Sequence, residues 1–70
     1  MSQQDRILAY LQEGRTLTRL NSWEQLGILE APARISELRA KGHQIHTRMV
    51  PVRNRFNEMV KIAHWTLQGE

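Results

Sequence analysis

The residues best equipped for chemistry in this chain are guanidinium and imidazole groups. Arg34, Arg39, Lys41, Arg48, Arg53, Arg55 and Lys61 fall between positions 32 and 61, where only Glu37 and Glu58 oppose them. Positions 1–31 carry Arg6, Arg15 and Arg19 against Asp5, Glu13, Glu24 and Glu30, so the excess positive charge is gathered in the second half. Arginine outnumbers lysine eight to two. A guanidinium presents a planar fork of donors that matches phosphate or a guanine edge bidentately, whereas an ammonium is a point charge. The bland alternative is a basic surface kept for solubility; the asymmetry favours a partner that carries phosphate groups or guanine edges.

His43, His46 and His64 raise the question of a metal. Two histidines three apart on a strand point to opposite faces, cysteine is absent, and the nearest acid to the pair is Glu37. Zinc needs three or four convergent ligands, so neither a metal nor any other cofactor is expected. No Gly-x-Ser-x-Gly elbow, paired carboxylates or glycine-rich phosphate cradle is present either, and the chain does not read as an enzyme.

The elements that must position these groups follow from length and periodicity. Seventy residues make a single domain, 1–70, burying about 60% of the surface its unfolded chain exposes. No secretion-signal pattern opens the sequence, and no apolar run approaches the roughly 20 residues of a membrane span; a soluble, cytoplasmic protein with no membrane partner is expected.

Ile7, Leu8 and Leu11 recur at helical spacing, predicting a helix over about 3–13 that Gly14 ends. Arg15-Thr16-Leu17-Thr18 reads as an extended stub able to pair with a later strand. A second helix spans about 19–26, capped by Thr18 or by Asn21 with Glu24 three residues on, with Leu20, Trp23 and Leu26 on one side. Gly27 and a short apolar turn lead into a third helix over about 30–41. Pro32 sits in its first turn, Ala31, Ile35 and Leu38 form its buried stripe, and Gly42 stops it. Glu30 with Arg34 and Glu37 with Lys41 are i,i+4 pairs in the favourable order. Beyond Gly42 the period changes to two: Ile45 to Val52 and Met59 to Leu67 predict a β-hairpin over about 45–67. Pro51, lacking an N–H, belongs at an edge or strand end. The expected core is Ile7, Leu11, Leu20, Leu26, Ile35, Leu38 and Trp65, with Trp23 also read as core rather than as a stacking platform.

Helix, stub, helix, tight turn, helix and hairpin make an α+β winged helix-turn-helix, a three-helix core with a C-terminal wing. The run from Ile7 to Gly14, Leu17-Thr18, Gly27, and Ala33-Arg34-Ile35-Ser36-Glu37-Leu38-Arg39-Ala40-Lys41-Gly42 through Ile45 resembles the small winged helix-turn-helix proteins of bacteriophages and prophages. The last strand, ending Ala63-His64-Trp65-Thr66-Leu67, is similar to theirs. The likeness departs at Asn21, where the family tends to have an acid, which weakens a capping box from Thr18. It departs again at Asn57, where a glycine is common, which leaves the wing turn type open. The resemblance implies DNA binding in phage-related gene control or recombination, inside a bacterial host cell.

A helix-turn-helix presents its second helix to the major groove. With Ala31, Ile35 and Leu38 inward, Ala33, Ser36, Glu37 and Ala40 face away, Arg34 and Lys41 lie on one flank, and Arg39 on the other. Small residues at 33, 36 and 40 let the backbone approach base edges. Ser36 and Glu37 read them, and Arg34 suits a guanine or a phosphate. Architectural readings stand beside these: Arg34 paired with Glu30 or Glu37, and Arg39 bracing the first helix. Arg53, Asn54 and Arg55 occupy the wing tip, placed for the backbone or an adjacent minor groove. The roles of Arg48 and Lys61 depend on which strand face is exposed. Three functions fit, in this order: a sequence-specific transcriptional regulator, an architectural DNA binder of the recombination-directionality (excisionase-like) kind, and a protein-interaction module inhibiting a host protein. One such domain covers roughly 600–1,000 Å² on DNA, which points to a homodimer on a palindrome or a cooperative assembly on tandem sites.

Overall fold

Short capping side chains at the starts of the first two helices and left-handed glycine backbone after all three set the architecture. The computed structural model describes residues 2–67: α1 (Gln3–Gln12), α2 (Arg19–Leu26) and α3 (Ala31–Ala40), then β1 (Ile45–Arg53) and β2 (Met59–Leu67) as an antiparallel hairpin. This is the α+β order read from the sequence. Ser2 starts α1: its hydroxyl accepts from the Asp5 N–H at 3.1 Å, and the Asp5 carboxylate accepts from the Ser2 N–H at 3.2 Å. The Ser2 backbone N–H first, and the Ser2 hydroxyl beside the carboxylate second, hold the Asp5 carboxyl below the usual aspartate value.

Thr18, not Asn21, caps α2. The Thr18 hydroxyl accepts from the Asn21 N–H at 3.1 Å, and the Asn21 side-chain oxygen accepts from the Thr18 N–H at 2.7 Å. Asn21 thus completes the capping box that the missing acid was expected to weaken. Its amide nitrogen adds a bond to the Thr16 carbonyl at 3.0 Å, which a carboxylate could not donate. At the end of α3, Gly42 adopts φ +100°. Its N–H reaches the Arg39 carbonyl at 3.0 Å, and that of His43 reaches Leu38 at 3.1 Å, supplying donors to carbonyls of the helix's last turn.

The core is Ile7 and Leu11 from α1, Ala31, Ile35 and Leu38 from α3, Ile45 and Trp65 from the hairpin base, and Leu17 and Ile28 from the connecting segments. Two expected core residues lie outside it. Leu20 is 67% exposed and Trp23 53% exposed, while Leu26 is half-buried against the core. The cause is the rotation of α2, which turns Ser22 inward instead. The Ser22 hydroxyl donates to the Ile28 carbonyl at 2.8 Å, and the Ile28 N–H donates to the Ser22 carbonyl at 3.0 Å. That pair of bonds ties helix to turn, and Leu17 and Ile28 supply the aliphatic bulk that α2 withholds.

The stub docks as read: Leu17 and Trp65 exchange N–H···O bonds of 2.9 and 2.8 Å. β1 and β2 pair from Ile45 opposite Leu67 to Arg53 opposite Met59. The Asn54 N–H donates to the Glu58 carbonyl at 2.9 Å, and hydrogen-bonded pairs alternate from there. Val52 with Val60 and Val50 with Ile62 are therefore bonded, and Pro51 falls between them with its missing donor on the outer edge. The proline costs the ladder nothing and blocks that edge to other strands.

Candidate nucleic-acid interface

On α3 the inward stripe fixes what can face outward. Ala33, Ser36 and Ala40 are exposed on the side opposite Ala31, Ile35 and Leu38. The flanks are occupied. Toward α1, the Arg34 guanidinium grips the Glu37 carboxylate at 2.8 and 2.9 Å, and the Gln4 amide donates to the same carboxylate at 2.7 Å. Gln3 accepts from Arg34 at 3.4 Å, and the Lys41 ammonium donates to the Gln4 side-chain oxygen. Glu37, expected on the outward face, is instead half-buried on the α1 flank, because Arg34 and Gln4 draw its carboxylate across. The expected i,i+4 pairs do not form: Arg34 takes Glu37 rather than Glu30, and Lys41 takes Gln4.

On the opposite flank, Arg39 donates twice to the Ile45 carbonyl, at 3.1 and 2.7 Å, and also to the Thr47 hydroxyl. Arg39 therefore braces β1, not the first helix. It covers an outward-facing carbonyl at one end of β1 as Pro51 blocks the other. Each charged side chain of α3 thus has a protein partner, and what it leaves open is small: two methyl groups and one hydroxyl.

The wing is arranged the other way. Only the hairpin base is buried, and β1 and β2 run outward from it. The register puts Arg48, opposite His64, on one face and Lys61, opposite Pro51, on the other; both are exposed. Among the described residues no hydrogen bond or ion pair holds Arg48, Arg55 or Lys61, and Glu58 is the one acid of the hairpin. Asn54, expected to contact DNA, is half-buried and organises the turn. Its side-chain oxygen accepts from the N–H of Phe56 at 2.9 Å and of Glu58 at 3.0 Å, and its amide donates to the Glu58 carboxylate at 3.1 Å. Asn57 takes the left-handed backbone that a glycine would, at φ +66°. Arg53 locks it there, donating to its side-chain oxygen at 2.8 Å and its carbonyl at 3.2 Å. Arg53 and Arg55 are both exposed at this braced tip.

Two features escaped the sequence reading. Phe56 stands at the apex with 74% of its surface exposed; the visible signal was one aromatic in a turn otherwise made of arginine and asparagine. The second is a groove of about 550 Å³ between the start of α2 and the hairpin, lined by Leu20, Pro32, Met49, Ile62 and Trp65 with Arg19 and Lys61. Leu20 is exposed because it faces this groove. Among the described residues no group of three or more histidines or acids converges, and no helix is long and apolar enough to cross a membrane.

A family model described as a winged helix-turn-helix domain matches residues 2–69. The match spans nearly the whole chain, and the chain belongs to that family. No curated protein and no solved structure matches it.

Proposed function

From its membership of the winged helix-turn-helix family, we propose that the protein binds double-stranded DNA as a sequence-specific regulator of transcription. The observation that carries this reading is the division of the basic half into two surfaces. One is a helix whose outward face is stripped to Ala33, Ser36 and Ala40; the other is a hairpin on which Arg48, Arg55 and Lys61 are exposed and, among the described residues, have no protein partner, with Arg53 exposed beside them. In this reading α3 enters the major groove, its small residues bring the backbone close, and the Ser36 hydroxyl meets a base edge. Arg53 and Arg55 engage phosphates, with Asn54 fixing the loop that carries them. Arg34, Glu37, Arg39 and Lys41 border the reading surface and hold it in position against α1 and β1.

The likeness to small phage and prophage proteins supports phage-related gene control as the setting. A footprint of roughly 600–1,000 Å² per domain favours a homodimer or a cooperative assembly on adjacent sites.

The test is fluorescence anisotropy of the protein on labelled duplexes selected from a random pool, repeated across salt concentrations. The expected result is saturable binding whose log affinity falls linearly with log salt, by about 0.9 per phosphate contact, with the selected duplex preferred. No binding at low salt overturns the proposal and leaves the protein-interaction alternative.

A further inference from the structure

Phe56 is the residue of the wing that the proposed function does not use, and its setting is unusual for an aromatic side chain. It lies at the apex of the hairpin turn, 74% exposed, and is not among the described hydrophobics that form or pack against the core. The turn beneath it is cross-braced. Asn54 accepts from the Phe56 and Glu58 N–H groups, the Asn57 N–H donates to the Asn54 carbonyl at 3.0 Å, and Arg53 clamps Asn57 from below. The apex therefore presents the ring from a defined backbone rather than a floppy loop. Arg55 adjoins it, and Arg53 stands at the foot of the turn opposite Met59, itself exposed.

A rigid, protruding aromatic flanked by guanidinium groups fits one task on duplex DNA. The cations are drawn to the phosphates lining the minor groove, and the apolar ring at the tip enters between adjacent base pairs. Side chains used in this way unstack the step they enter and kink the duplex by roughly 20–90° toward the major groove. We infer that Phe56 is an apolar wedge by which the wing partially intercalates and bends DNA. The inference rests on the DNA-binding reading and adds to it an architectural activity that α3 alone would not give. Pyrimidine–purine steps, the easiest to unstack, are the sites it enters.

The probe is a duplex of about 30 base pairs, several turns of B-DNA, containing one central TA step, with a donor and an acceptor dye at its ends. In a parallel duplex, 2-aminopurine replaces the adenine of that step. The wild-type protein is expected to raise end-to-end energy transfer and to increase 2-aminopurine fluorescence severalfold as the base unstacks. Phe56→Ala, whose side chain supports no core contact, is expected to keep an unchanged circular dichroism spectrum and, compared with wild type at saturating protein, to lose both signals while still bound. Phe56→Leu, keeping an apolar wedge, retains most of each. Equal bending by wild type and Phe56→Ala overturns the inference while leaving DNA binding intact, as does bound wild-type protein with unbent DNA. Absence of any binding overturns the underlying DNA reading and the inference with it.

Discussion

The third helix and the wing are both rich in arginine, yet they treat the residue in opposite ways. On α3, Arg34 is folded onto Glu37 and Arg39 onto the Ile45 carbonyl, so its guanidinium groups hold elements together. On the hairpin, Arg48 and Arg55 stand exposed without protein partners among the described residues, and Arg53 braces a turn whose surface remains open. Charge alone would have assigned all of them to DNA. The difference teaches that a basic patch divides into cations that build the surface and cations that the surface offers, that hydrogen-bond partners and exposure together separate the two, and that Arg53, exposed while holding Asn57, belongs to both.

The comparison breaks most visibly at Arg39. Its two bonds to one carbonyl and a third to Thr47 are charge-assisted, so Arg39→Ala is expected to lower stability by about 2 kcal/mol. A urea unfolding midpoint shows it. An unchanged midpoint would move Arg39 from the structural group to the available one. Gly42→Val is the next in size. Beyond the glycine and its chain neighbours no atom lies within 4 Å of where a Cβ would be, so the left-handed backbone is what resists the substitution. The expected loss is about 1–2 kcal/mol, read in the same unfolding experiment.

Arg55→Ala provides the contrasting result, a stability change within about 0.5 kcal/mol because its side chain holds nothing in place. A larger loss would show that the wing's cations also serve the fold. The smallest effect is one of pH. The depressed Asp5 carboxyl contributes its capping bonds in full above the ordinary aspartate value of about 3.9 and loses them as pH falls through its lower folded value. Acid should therefore fray α1 before it disturbs the hairpin. Helical circular dichroism followed down the acid limb checks this, and Asp5→Asn should remove that limb's first component.

Most of the scaffold was legible because it rests on local chemistry. Gly42 after an apolar stripe and the change of period at Ile45 mark boundaries that the chain has to obey wherever its partners lie. The rotation of α2 was not legible, since Leu20, Trp23 and Leu26 make a better hydrophobic stripe on paper than Ser22 does. What decides it is the serine's bond to Ile28, a contact that depends on how the turn packs. Asn21 was similarly opaque: its amide replaces an acid in the capping box while donating backward to Thr16. At the candidate interface, the outward positions of Ala33, Ser36 and Ala40 followed from helical geometry. Glu37 did not, because its place was settled by Gln4, 33 residues away in sequence. The faces of Arg48 and Lys61 needed the strand register, which alternation fixes only relative to an unknown start.

The central claim is that the wing supplies affinity without sequence information while the outward face of α3 supplies choice. The most direct test titrates wild type, Arg53→Ala, Arg55→Ala and Ser36→Ala on a selected duplex and on a random one across a range of salt. Each wing variant should weaken binding to both duplexes equally and flatten the salt slope by about 0.9 per lost phosphate contact. Ser36→Ala should keep the slope and narrow the preference for the selected duplex by about 1–3 kcal/mol. Equal losses on both duplexes for Ser36→Ala, or an unchanged salt slope for both wing variants, would contradict the account.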